Sequence, residues 1–167
     1  MKFQHYLFIT FFFTLFAFNS CVENCLDDGS MFRIRLELES SKSGVFTVKY
    51  NSQNRKNLVV KSEVVNTEGS QFVEFCLEEE PLDFKVYVTE SLENVDLKVM
   101  SVLLENDNRQ MFIKQEMFHL YFKNTQGVQF NKKTNIYFFN PSKAGEQKPY
   151  IGSRKSLQKR LINRLNI

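Results

Sequence analysis

The eight residues Phe32-Arg33-Ile34-Arg35-Leu36-Glu37-Leu38-Glu39 alternate strictly between apolar and charged side chains. In an extended chain, successive side chains point to opposite faces. Phe32, Ile34, Leu36 and Leu38 therefore share one side, and Arg33, Arg35, Glu37 and Glu39 the other. Period two over this length predicts a β-strand buried on one face. The turn-forming run Ser40-Ser41-Lys42-Ser43-Gly44 follows, and then Phe46, Val48 and Tyr50 alternate with polar neighbours. This second segment reads as a hairpin partner of the first.

The pattern continues along the chain. Residues 58–65 are valine-rich, residues 72–77 form a further strand, and Phe84, Val86 and Val88 alternate with Asp83, Lys85 and Tyr87. Residues 95–104 are longer and more apolar, with Val95, Leu97 and Val99 on one face and Met100, Val102 and Leu104 on the other. That change predicts a central strand or a bulge partway along. Residues 111–122 fit a short helix or a strand, and residues 128–130 and 136–139 read as a final strand pair. Polar turns separate these segments. Glu78-Glu79-Glu80-Pro81 is one of them, a solvated turn without the spaced oxygen ligands of a calcium loop. The expected fold is all-β, an antiparallel β-sandwich of jelly-roll-like type in residues 31–140.

The two ends depart from this pattern. Residues 1–20 carry one lysine, an apolar run at 7–18 and a small residue before Cys21, the composition of an export signal. The run is too short for a membrane span, which takes about 20 apolar residues. Residues 21–30 read as a polar tether. At the other end, Pro141, Gly145, Pro149 and Gly152 mark residues 141–152 as a linker. Ser153 can then cap an amphipathic helix reaching about residue 166, with Leu157, Leu161, Ile162 and Leu165 at helical spacing. Around them stand Arg154, Lys155, Lys159, Arg160 and Arg164, the candidate contacts to a membrane or partner. From residue 141 onward, seven Lys or Arg face the single Glu146, a net +6, within a chain of +3. The body is mildly acidic and the tail basic.

Phe18-Asn19-Ser20-Cys21 resembles the loose lipobox of Bacteroidetes lipoproteins, in which an aromatic-rich run ends in Ser-Cys. The resemblance implies that Cys21 is lipidated and that the chain is anchored to a membrane, with Asp27-Asp28 favouring the outer one. It departs from the stricter bacterial pattern at Phe18 and Asn19. Several acyl chains on one cysteine hold stably where one holds marginally. The cysteine count agrees: of Cys21, Cys25 and Cys76, lipidation of the first leaves an even pair. A Cys25–Cys76 disulfide would close a loop of about 50 residues, worth about 3–4 kcal/mol in the chain-entropy model. Alternatively, Cys76 is a buried apolar residue of its strand.

The strand pattern and order across residues 32–113 also resemble the galactose-binding-like jelly roll of exported and envelope proteins. That resemblance carries no invariant motif and implies a fold rather than a ligand. Sugar sites of this kind use flat aromatic platforms, and the chain has no tryptophan. Tyr87, expected to face outward, is the best tyrosine candidate. His119, the single histidine after residue 20, reads as a packed or edge residue. No nucleophile elbow, phosphate loop, metal-histidine pair or Cys-His constellation is present. The expectation is a non-catalytic binding module of the cell envelope without cofactor or metal. Its expected partners are the membrane, through its anchor, and an envelope protein or glycan; nucleic acid fits poorly. Palmitate labelling is expected to mark the wild-type chain and to disappear in Cys21→Ser. Equal labelling of the two would refute the anchor.

Overall fold

The computed structural model describes residues 31–64, 68–88, 94–107, 109–144 and 148–165. The export signal, Cys21, Cys25 and the tether lie outside them. Eleven strands are formed: β1 (Phe32–Ser40), β2 (Gly44–Asn51), β3 (Leu58–Val64), β4 (Gln71–Leu77), β5 (Asp83–Val88), β6 (Val95–Asn106), β7 (Arg109–Lys114), β8 (Phe122–Asn124), β9 (Val128–Asn131), β10 (Ile136–Phe139) and β11 (Tyr150–Ser153). Among the described residues two helices accompany these strands, the single-turn α1 (Phe118–Tyr121) and the terminal α2 (Lys155–Leu165).

The strands make two antiparallel sheets packed as a sandwich. One is six-stranded in the order β4-β1-β6-β10-β9, with β7 also paired to β6, and the other is five-stranded in the order β3-β2-β5-β11-β8. The rims approach each other where β3 meets β4 and β8 meets β9. Alternation fixes the core. Phe32, Ile34 and Leu38 of β1 are fully buried, and from the facing sheet Phe46, Val48 and Phe84 meet them. Each such side chain contributes about 1.5–3 kcal/mol on burial. A small apolar cavity of about 30 Å³ remains between the sheets, lined among others by Phe84, Phe118, Phe122 and Tyr137. Burial pushes the Tyr137 phenol up to about 12.

The first two strands do not form a hairpin. β1 pairs with β4 and β6, whereas β2 pairs with β3 and β5 in the opposite sheet. Each carries one apolar face, and stacking those faces across the sandwich buries both, whereas a hairpin would leave the pair in need of another cover. The turn at residues 41–43 is accordingly a crossing between layers. Ser41 N–H donates to the Asp96 carbonyl at 3.0 Å, and Ser40 Oγ donates to the Lys42 carbonyl at 2.6 Å.

A bulge explains β6. Its register against β1 shifts between Glu37, opposite Ser101, and Leu38, opposite Val99, which leaves Met100 as the extra residue. The parity of the strand therefore changes there. Val95, Leu97, Val99, Val102 and Leu104 all face the core, instead of dividing between two faces. Residues 111–122 prove to be strand and helix in succession, β7 followed by a short 3-10 turn and α1.

Residues 141–152 are more than a linker. They contain a 3-10 turn (Pro141–Lys143) and most of β11, which lies between β5 and β8. Ser153 does not cap the helix. It ends β11, and its buried Oγ accepts the Phe84 N–H at 3.0 Å. Helix α2 begins after Arg154, whose carbonyl accepts the N–H groups of Leu157 and Gln158 and whose own N–H donates to the Tyr121 carbonyl at 2.7 Å. At the far end, Asn106 Nδ2 donates to the Leu165 carbonyl at 3.1 Å and Arg109 Nη1 to the Arg164 carbonyl at 3.2 Å. Both helix ends are thus held by the sandwich, and the second placement puts a cation at the negative end of the helix dipole.

Leu157, Leu161 and Leu165 are buried against β7 and α1, while Ile162 is half exposed. Leu161→Ala is expected to cost about 2–5 kcal/mol in denaturant melts and Ile162→Ala less than about 1 kcal/mol. Equal effects of the two would contradict this helix orientation.

Candidate functional site

The outward faces of the two sheets differ in how their charges are satisfied. On the six-stranded sheet, Arg33 lies between Glu105 and Glu74, Arg35 bonds Glu74 and stands 5.5 Å over the Phe72 ring, and Lys98 meets Glu39 at 3.0 Å. Ser101 Oγ donates to Glu37 at 2.7 Å. Opposite charges sit on the neighbouring strands β4, β1 and β6 and pair there, while Lys114 of β7 is exposed on the same face without a carboxylate partner among the described residues.

The five-stranded sheet is otherwise. Its outward residues follow from the register. One row runs Lys61, Thr47, Tyr87, Tyr150 across β3, β2, β5 and β11, and the next runs Val59, Lys49, Lys85, Gly152, Lys123 into β8. Among the described residues none of these four lysines has a carboxylate partner. Two rest on aromatic rings instead. Lys49 Nζ is 5.1 Å from the Tyr87 centroid and Lys85 Nζ is 5.0 Å from the Tyr150 centroid. The two tyrosine rings are 5.1 Å apart, tilted by 46°. Burial first, and the neighbouring Tyr150 second, hold the Tyr87 phenol above its usual pKa. It stays a neutral donor at physiological pH. Of the acids of this face, Asp83 is held by Asn51 Nδ2 at 3.0 Å.

Gly152 gives the Tyr150 ring its place. A Cβ there would lie 2.9 Å from Tyr150 Cε2 and 3.3 Å from Cδ2, so the ring rests over the glycine backbone beside Lys85.

The remaining residues singled out from sequence are dispersed. Cys76 points outward from β4 on the six-stranded sheet, opposite Arg33, and is half-buried; it is disulfide-bonded, and its partner lies outside the described residues. Cys21 and Cys25 lie outside them as well. Arg154 directs its Nε to the Phe122 carbonyl at 2.6 Å. Lys155, Lys159, Arg160 and Arg164 are exposed along α2. With its leucine stripe committed to the core, the helix offers a surface these cations dominate. His119 is exposed on α1. The acidic turn at residues 78–80 is clamped rather than open: Glu79 bonds Ser52 and Arg55, Glu78 bonds Arg55 at 2.9 Å and Glu80 accepts from Asn106 at 2.9 Å. The Ser52 hydroxyl, more than Arg55, holds the Glu79 carboxyl below the usual range. Among the described residues no group of three or more His, Cys, Asp or Glu is placed to hold a metal, and no helix is long and apolar enough to cross a membrane.

Of this face, sequence reasoning found Tyr87 and missed Tyr150, Lys49, Lys85 and Gly152. The parity of β2 and β5 marks both lysines as outward residues, but which strands lie side by side is a tertiary fact. No protein-family model, curated protein or solved structure matches the chain. Gly152→Val is expected to displace the Tyr150 ring and shift the aromatic NMR signals of both Tyr87 and Tyr150. Unchanged ring signals in that variant would show that the glycine does not hold the pair.

Proposed function

We propose that the protein is a non-catalytic binding module of the cell envelope, exported and anchored through lipid on Cys21, probing its surroundings with the outer face of the five-stranded sheet. The observation that carries this reading is the Tyr87–Tyr150 pair flanked by lysines, an open aromatic and cationic surface that the fold itself does not use for packing between the sheets. Its paired rings favour the more specific form of the reading, a carbohydrate-binding lipoprotein serving glycan uptake or an envelope polysaccharide. The galactose-binding-like resemblance is compatible with it, although the proposed surface is a sheet face.

The position of Cys76 supports an orientation. A Cys25–Cys76 disulfide fastens the tether to the outer face of the six-stranded sheet. Only three residues, Val22 to Asn24, then separate Cys25 of the bridge from the lipidated Cys21, a reach of about 14 Å when extended. The charge-paired face is directed towards the bilayer, and the tyrosine–lysine face away from it.

On a glycan array, the protein is expected to give a defined set of signals that Tyr87→Ala reduces by about tenfold or more while its melting temperature is retained. A blank array, or one indifferent to Tyr87→Ala, removes the carbohydrate reading.

A further inference from the structure

We infer that the ligand of the five-stranded sheet is an anionic polysaccharide, one whose sugar rings carry carboxylate or sulfate groups. The inference rests on the binding-module reading above and narrows it to one ligand class.

Charge makes the first argument. Lys49, Lys61, Lys85 and Lys123 share one face without a carboxylate partner among the described residues, while on the opposite face Arg33, Arg35 and Lys98 are each paired and, among the described residues, Lys114 of β7 is not. The Lys49 and Lys85 ammonium groups lie over phenol rings, a weaker partner for a cation than an anion is. An arriving carboxylate or sulfate gains charge-assisted hydrogen bonds from groups already positioned by their stems.

Shape makes the second. The lysine row and the tyrosine row are adjacent across the same strands, which are spaced about 4.8 Å apart. A sugar ring laid on the Tyr87–Tyr150 pair therefore has its substituents within reach of the neighbouring row. Gly152, which stands between Lys85 and Lys123 in the register, has no side chain and so leaves the Tyr150 ring room over its backbone. The surface is a sheet face rather than a sheet edge, which suits repeating rings better than an acidic peptide, whose recognition as an added strand needs an edge.

The test uses the full-length protein in detergent, titrated with polygalacturonate, dextran sulfate, methyl-esterified polygalacturonate, polyglutamate and oligothymidylate. Polygalacturonate or dextran sulfate is expected to bind, more weakly as salt rises. The affinity should fall about tenfold in Tyr87→Ala and in the double variant Lys49→Gln/Lys85→Gln, at unchanged melting temperature. Methyl esterification, which removes the charge from the same sugar backbone, should weaken binding to a similar degree. Equal affinity for the ester overturns the anionic assignment and leaves a carbohydrate module standing. Neutral glycans bound on the array with neither anionic polymer bound has the same meaning; no binding to any glycan overturns both readings. Polyglutamate or oligothymidylate binding as tightly as the sugars overturns the assignment in favour of an acidic peptide or a single-stranded nucleic acid.

Discussion

The structure depends on one constraint, the face-to-face burial of two apolar sheet surfaces. Phe32, Ile34, Leu36 and Leu38 need a cover, and the facing set around Phe46, Val48, Phe84 and Val86 supplies it. Everything irregular in the fold serves that burial. The chain crosses between layers after β1 where a hairpin was expected. The bulge at Met100 turns the second half of β6 so that Val102 and Leu104 join Val95, Leu97 and Val99 in the core. Helix α2 fills the remaining flank with three leucines and is held at both ends by backbone and side-chain hydrogen bonds from the sandwich.

Once the inner faces are committed to each other, the outer faces are free to diverge, and they do. Alternation places arginine and glutamate on adjacent strands of one sheet, where they satisfy one another. On the other it gathers lysines and two tyrosines with few acids. In the first arrangement Arg33 is buried and lies between the partly buried Glu74 and Glu105, so that its charge is met within the sheet face. The second retains cations whose nearest described partners are aromatic rings. Cys76, disulfide-bonded, lies on the first of these faces.

Much of this was legible in the sequence, for a physical reason. Period-two alternation is a local property, so the strands, their inward residues and the outward position of Tyr87 could be read residue by residue. Strand pairing is not local. Nothing within residues 32–50 distinguishes a hairpin from two strands crossing between layers, because both bury the same side chains. The same limit hid the proposed binding surface: Tyr150 lies in a four-residue strand inside a stretch whose proline and glycine content reads as linker, and it meets Tyr87 only through the β5–β11 pairing. Ser153 shows the converse case. Its residue type suits a helix cap, and the fold uses its hydroxyl for a buried strand N–H instead. Helix α2 itself was visible because its leucine spacing is again local.

The central claim is that this protein meets its ligand on the outer face of the five-stranded sheet, and a crystal structure with a bound galacturonate oligosaccharide tests it most directly. The account predicts a sugar ring on the Tyr87–Tyr150 pair with carboxylates beside Lys49 and Lys85. A sugar seated instead in the polar hollow beside Ser52 and Glu79, or against the charge-paired face of β1 and β6, would contradict it.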